Sequence, residues 1–229
     1  MERIVVVGLG GTGSYLVQPL ARYLNSSKWK GALVLVDGDK YEMSNVDRQE
    51  FPSVMVNVNK AEAHTRVIRT RFPDLNVICV DRYLGYDNSD DIISEGCVVF
   101  GCVDNHFARR LICEIGGGLR NFTFISSGNE MTDGNVYLYA RKDGADVTPP
   151  PYNVHPEITM EGSKDRSGMS CEELSELPGG GQVIFTNMTA ACVSLMMFWS
   201  YCSGRAEWSG VREIYFNIDK AKTRGVQNG

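Results

Sequence analysis

Gly8-Leu9-Gly10-Gly11-Thr12-Gly13-Ser14 sits between the apolar run Ile4-Val5-Val6-Val7 and Tyr15-Leu16-Val17. A glycine-rich turn from a strand into a helix N-terminus is a seat for phosphate. Glycine lets the backbone come close, and unbonded N–H groups and the helix dipole face the anion. Gly8, Gly10 and Gly13 also satisfy the G-x-G-x-x-G spacing of dinucleotide sites, and Asp37 ends the second apolar run, where such sites place an acid on the ribose. The charged residues further on separate two chemistries. A dinucleotide's pyrophosphate is largely satisfied by backbone N–H groups. A triphosphate with a departing pyrophosphate needs lysine and arginine for developing charge, plus a carboxylate for magnesium. Asp39, Asn45, Arg48 and Gln49 lie between Asp37 and Lys60, and Asp104-Asn105 follows a later apolar run. Arg48, Lys60 and Asp104 form the second set, with Asp37 for the ribose. The residues therefore point to ATP and Mg2+ rather than to NAD, and no Tyr–Lys or His dyad placed for hydride chemistry is visible.

These residues need a frame that brings them to one edge. Apolar runs at 3–7, 32–37, 75–80, 97–103 and 121–127 predict strands, and helices are expected over about 12–25, 59–72, 88–94 and 105–119. Such alternation predicts an α/β fold: a doubly wound, Rossmann-like, mostly parallel sheet with crossover helices on both faces. Cys97-Val98-Val99-Phe100 suits a central strand buried on both sides. After residue 128 the pattern changes. Asn135–Tyr139 reads as a strand turned antiparallel, residues 142–181 as an irregular crossover, 182–202 as an apolar helix, and Arg212–Ile218 as a last strand. A single domain over 1–229 is expected, with antiparallel C-terminal strands and no internal repeat.

Bulk properties narrow the surroundings. A net charge of −5 and a pI near 5.3 give no electrostatic reason to expect nucleic acid. Seven cysteines without framework spacing fit a reducing compartment, and no signal peptide opens the chain, so a cytoplasmic protein is expected. Val183 through Trp199 approaches a membrane span in length, yet it contains Thr186, Asn187 and Thr189 and follows Gln182. A buried helix, or one at a subunit interface, is expected there and no membrane.

The glycine loop ending in Ser14, Asp37-x-Asp39 with Ser44-Asn45-Val46-x-Arg48-Gln49, Asn59-Lys60-Ala61, and Val103-Asp104-Asn105 with Arg109 resemble, in order and spacing, the ThiF/MoeB family. These are ubiquitin-activating-enzyme-like adenylyltransferases. The likeness runs from residue 3 to about 140 and resumes at Ser170-Cys171-Glu172 and the following helix. It implies that a small ubiquitin-like (β-grasp) or sulfur-carrier protein presents its C-terminal glycine carboxylate. That carboxylate attacks the α-phosphate of Mg-ATP, giving an acyl-adenylate and pyrophosphate. On the same resemblance Gly10, Gly11 and Gly13 surround the phosphates and Asp37 binds the ribose. Asn45, Arg48 and Lys60 hold the triphosphate, and Asp104 binds magnesium with Asn105 beside it. Cys171 matches the position from which some relatives pass the acyl group to sulfur, whereas others with a cysteine there only adenylate. A homodimer is implied too, with the apolar helix 182–202 as a physical reason.

The chain departs from the family in two respects. It has no C-x-x-C pair, so no zinc is expected. The first strand starts at Arg3, without the preceding helix whose arginine reaches the partner's ATP in many relatives, so either Arg109, Arg110 or a partner protein completes the triphosphate site or activity is weaker.

Plain structural readings stand beside these. Asp37 and Asp39 could form turns, Arg48 and Lys60 could be solvated charges, and Asp104-Asn105 could cap a helix. Arg66 pairs with Glu62 at i,i+4. The cysteines other than Cys171 read as packing, and His64, His106 and His155 as structural, with a substrate contact the alternative for His155. Alternative functions are adenylation of a peptide C-terminus or a tRNA-borne carboxylate, and a non-catalytic nucleotide-binding scaffold.

Overall fold

Short runs of valine, isoleucine and leucine form the centre of the sheet. The computed structural model describes residues 1–159, 184–203 and 208–228. In it β1 (Arg3–Val7) lies between β2 (Ala32–Val36) and β4 (Val98–Gly101), with β3 (Val77–Val80) outside β2 and β5 (Phe122–Asn129) beyond β4. All four pairings are parallel. Parallel neighbours need crossovers, supplied by α1 (Gly11–Ser26), α2 (Lys60–Arg71), the single turn α3 (Ser89–Ile92) and α4 (His106–Gly118). Side chains alternate between two cores. Ile4, Val6, Leu33 and Leu35 pack with α1 and α2, and Val5, Val7, Val34 and Val36 pack with α4. Each such burial stabilises by about 1.5–3 kcal/mol, so a polar residue of either parity would open one layer.

Beyond β5 the sheet turns antiparallel through β6 (Asp133–Lys142), β8 (Val211–Asn217) and β9 (Lys222–Gln227), while β7 (Ala145–Thr148) also pairs with β6. Two expectations are corrected here. The stretch from 142 is not irregular throughout. Asp143 (φ 52°) and Gly144 (φ 89°) form a two-residue hairpin turn into β7, and 3₁₀ turns follow at Pro151–Asn153 and Pro156–Thr159. Nor is Arg212–Ile218 the last strand, because β9 continues the sheet with the sequence Lys-Thr-Arg-Gly-Val-Gln. Neither strand offers an apolar run.

The apolar helix is α5 (Ile184–Cys202), packed on α1, β5 and β6. It is not buried all round: Phe185, Met188, Met196 and Trp199 are 62%, 41%, 52% and 40% exposed, and Cys192 between them is exposed as well. Cys192 is therefore not a packing residue. Among the described residues no helix is long and apolar enough to cross a membrane.

Candidate functional site

A cleft of about 1330 Å³ opens where the C-terminal ends of β1, β2 and β4 meet the first turns of α1, α2 and α4. In doubly wound sheets the strand order reverses at such a point, and ligands bind there. The glycine turn forms its floor. Gly8 has φ 87°, and a Cβ on it would lie 2.6 Å from the Cys102 carbonyl oxygen. A Cβ on Gly13 would lie 2.0 Å from the carbonyl oxygen of Gly8, so α1 can approach its own loop only without a side chain there. Gly10 is the N-cap of α1. No side chain caps that end and no acidic residue occupies its first turn, which leaves the positive end of the helix dipole unneutralised beside the cleft.

The loop is braced from behind. Asp37, 7% exposed, accepts from the Leu9 amide at 2.6 Å and from the Asp39 amide at 2.8 Å. Burial raises its carboxyl above the ordinary value, against the lowering by the Leu9 bond and the Lys60 charge. Tyr41 stacks on Phe51 with ring centroids 3.8 Å apart, and its hydroxyl meets the Leu9 carbonyl at 3.1 Å and His64 Nε2 at 2.6 Å. A carbonyl only accepts, so the tyrosine donates to Leu9 and His64 donates from Nε2 to the tyrosine. Burial pushes His64 down to about 4, which keeps it neutral at pH 7. His64 is structural, as the sequence suggested.

Next come the cations. Asn45, 2% exposed, accepts from the Glu42 amide at 3.1 Å, while its own carbonyl takes the amides of Arg48 and Gln49. It thereby shapes the turn that carries both side chains to the cleft. The buried carbonyl oxygen of Gln49 has no hydrogen-bond partner among the described residues. Asn59 caps α2 through the Glu62 amide and donates to the Asp37 carbonyl. Lys60 therefore starts α2 against the cleft, with its side chain 9% exposed and Nζ 3.3 Å from Asp39 Oδ2. Tyr83 donates to the other oxygen of Asp39, which pushes its phenol up to about 12. The Tyr83 ring lies on Gly38, where a Cβ would come within 2.7 Å of it.

On the third side, Asp104 is exposed after β4, and Asn105 caps α4 by accepting from the Ala108 amide at 2.9 Å. The capping reading thus holds for Asn105, which also lines the cleft. Arg109 lines it too, donating to the carbonyls of Val103 and Ser127, whereas Arg110 pairs with Glu114 along α4. Arg110 is not among the described residues that line the cleft. His155 also reaches the cleft, bonded to buried Glu213 at 2.8 Å.

Cys171, Ser170 and Glu172 lie outside the described residues. Burial pushes Cys97 up to about 11 and Cys102, Cys113 and Cys202 up to about 12, so these thiols are not nucleophiles at neutral pH. Among the described residues no group of three or more His, Cys, Asp or Glu could hold a metal ion.

The ThiF family model matches residues 1–199. This chain belongs to the ThiF family. Similar proteins include adenylyltransferase and sulfurtransferase UBA4 of Yarrowia lipolytica, 29% identical over 143 residues, covering 62% of this chain and 35% of that protein. The SAMP-activating enzyme E1 of Haloferax volcanii is 33% identical over 115 residues, 50% of this chain and 41% of that protein. Ubiquitin-like modifier-activating enzyme 5 of Drosophila ananassae is 26% identical over 192 residues, 78% of this chain and 47% of that protein. This ThiF-family chain thus spans less than half the length of these relatives. Among solved structures, Escherichia coli MccB with succinimide superposes with a TM-score of 0.70 at 19% identity, covering 99% of this chain and 63% of that one. PaaA gives 0.67 at 17% identity, covering 100% and 64%. Those likenesses establish the fold.

The cleft is also shaped by residues that the sequence did not mark as site residues. Asn187 of α5 donates to the Arg48 carbonyl at 3.4 Å, accepts from Asn129 at 2.8 Å, and sits over Gly11, where a Cβ would lie 2.6 Å from its side chain. Asn129 in turn accepts from Thr12 at 3.2 Å. Thr186, beside it, donates to the Met131 carbonyl. The polar residues that interrupt the apolar helix were the available signal: in a helix otherwise fit for burial, they mark the end that meets the site.

Proposed function

We propose that this chain is an ATP-dependent adenylyltransferase that activates the C-terminal glycine carboxylate of a ubiquitin-like or sulfur-carrier protein. The observation that carries the reading is the meeting, in one cleft, of an uncapped helix N-terminus, the buried Lys60, Arg48 and the exposed carboxylate of Asp104. Relatives named as adenylyltransferases and as activating enzymes for small modifiers support it. A carboxylate oxygen attacks the α-phosphorus, the bond to the bridging oxygen breaks, and pyrophosphate leaves. The amides of Gly10 and Gly11 hold the phosphates, while Gly13, buried and away from the cleft lining, lets α1 pack on the loop. Arg48 and Lys60 take up charge that moves to the leaving group, and Asp37, Asn45, Gln49 and Asn105 line the nucleotide. Magnesium is usually held by one or two carboxylates together with substrate phosphates, so Asp104 alone is a sufficient protein donor, and the ion would neutralise the departing pyrophosphate. The unpaired thiols fit a reducing, cytoplasmic setting. A homodimer through the exposed face of α5 belongs to the same reading.

ATP–pyrophosphate exchange tests it. Purified protein with magnesium and a small Gly-Gly-terminated protein should exchange label, and Asp104→Ala should reduce exchange by about 10²-fold or more. Cys171→Ala should leave exchange intact and abolish any thioester if that cysteine carries the acyl group. Exchange with a short peptide but with no carrier protein would move the substrate to a peptide C-terminus. ATP binding without exchange would mean a scaffold.

A further inference from the structure

Lys60 is held in a way that a nucleotide site does not require. Its side chain is 9% exposed, and its ammonium lies 3.3 Å from Asp39, whose side chain is 49% exposed. A largely buried lysine is costly unless paired, and Asp39 supplies its hydrogen-bonded anion. Asp39 is itself held from outside by the Tyr83 hydroxyl, with the Tyr83 ring laid on Gly38. Lys60, Asp39 and Tyr83 all line the nucleotide cleft.

We propose that Asp39 is a built-in stand-in for nucleotide phosphate: it pairs with Lys60 and gives it up when a phosphate arrives, while Tyr83 draws the carboxylate outward and eases that exchange. The inference rests on the reading of the cleft as an ATP site and gives Asp39 a different task within it, as a positioning residue rather than a nucleotide ligand. The carboxylate takes one of the ammonium's three donors and neutralises its charge, so the energy of the ion pair is subtracted from what the lysine can offer a phosphate. Tyr83 stabilises the carboxylate whether or not Lys60 is bound to it, and it is needed most when Lys60 has left.

The test is equilibrium ATP binding by calorimetry, with thermal melts, on the full chain. Asp39→Asn keeps the shape and can still meet Tyr83, but it removes the competing charge. Without ATP the variant should melt lower than wild type, because Lys60 loses its hydrogen-bonded anion and keeps only the Coulombic pull of Asp37. ATP should bind on the order of tenfold tighter, since a hydrogen bond to a charged group is no longer broken, and should raise the melting temperature by more than it does in wild type. Tyr83→Phe should weaken ATP binding several-fold while keeping the ring, and should have no effect in the Asp39→Asn background. Asp39→Ser provides a second uncharged variant should the amide itself disturb the fold.

Weaker or unchanged binding in both Asp39 variants overturns the proposal and makes Asp39 a direct ligand of nucleotide or magnesium, or a bystander. A Tyr83→Phe effect that persists without the Asp39 charge overturns the role of Tyr83. No ATP binding to wild type overturns the ATP reading itself, and this inference with it, so the two failures are distinguishable.

Discussion

Gly13 shows how strictly single residues constrain the site. A methyl group there meets the Gly8 carbonyl at 2.0 Å, and that backbone atom belongs to the turn the helix must touch. At Gly11 the obstacle is the Asn187 amide, a side chain that can turn away. Gly13→Ala should therefore lower unfolding stability by about 1–3 kcal/mol in a urea titration. Gly11→Ala should cost less, because only the Asn187 bonds to Arg48 and Asn129 are disturbed. Equal losses would mean that α1 shifts freely on its loop. At this scale the sequence was legible where a residue type has few other uses: four glycines in one turn, a lysine just after a capping asparagine, an acid after a buried strand. Tyr83 and Asn187 were not legible as site residues. Their roles depend on which turn of a helix, or which side of a loop, lies over the glycines, and only tertiary packing decides that.

Among the elements, the segment 151–159 is tied to the antiparallel half of the sheet by one titrating pair. Glu213, 1% exposed on β8, accepts from Asn135 at 2.6 Å and from His155 at 2.8 Å. The bond to Glu213 raises His155 above its ordinary 6.5. Burial pushes Glu213 upward, but the His155 and Asn135 bonds outweigh it and hold the carboxyl below its ordinary 4.5. A raised histidine stabilises fully below 6.5 and loses its contribution as pH rises through the folded value. A lowered glutamate stabilises fully above 4.5 and loses its contribution as pH falls through the folded value. Stability lost in His155→Gln should therefore be greatest between about pH 4.5 and 6.5 and shrink on both sides. A difference independent of pH would mean that packing against Tyr137, not charge, holds the segment. The elements themselves were read well wherever burial on both faces forces a continuous apolar run, as in β1, β2 and β4. β7 was missed although Asp143-Gly144 announces a hairpin, because the flanking residues lack alternation. β9 was missed because five of its six residues are exposed and nothing apolar marks it.

For the whole molecule, the unresolved balance lies on α5. Phe185, Met188, Cys192, Met196 and Trp199 recur at helical spacing along one exposed face, while the opposite face packs on α1 and the sheet. That stripe gives the proposed homodimer a surface. Wild type should sediment as a dimer at micromolar concentration, and Met196→Glu should shift it toward monomer with its circular dichroism unchanged. A wild-type monomer would remove the dimer from the proposal. The same helix also sets the order of assembly. Asn187 reaches the Arg48 carbonyl across 139 residues of chain, so this side of the cleft closes only after α5 has docked on α1, β5 and β6. Contacts so distant in sequence are slow to form. A chain emerging from synthesis would acquire its strands, its glycine turn and its lysine well before it acquired a place to hold a nucleotide, and the binding site would be among the last features of the fold to mature.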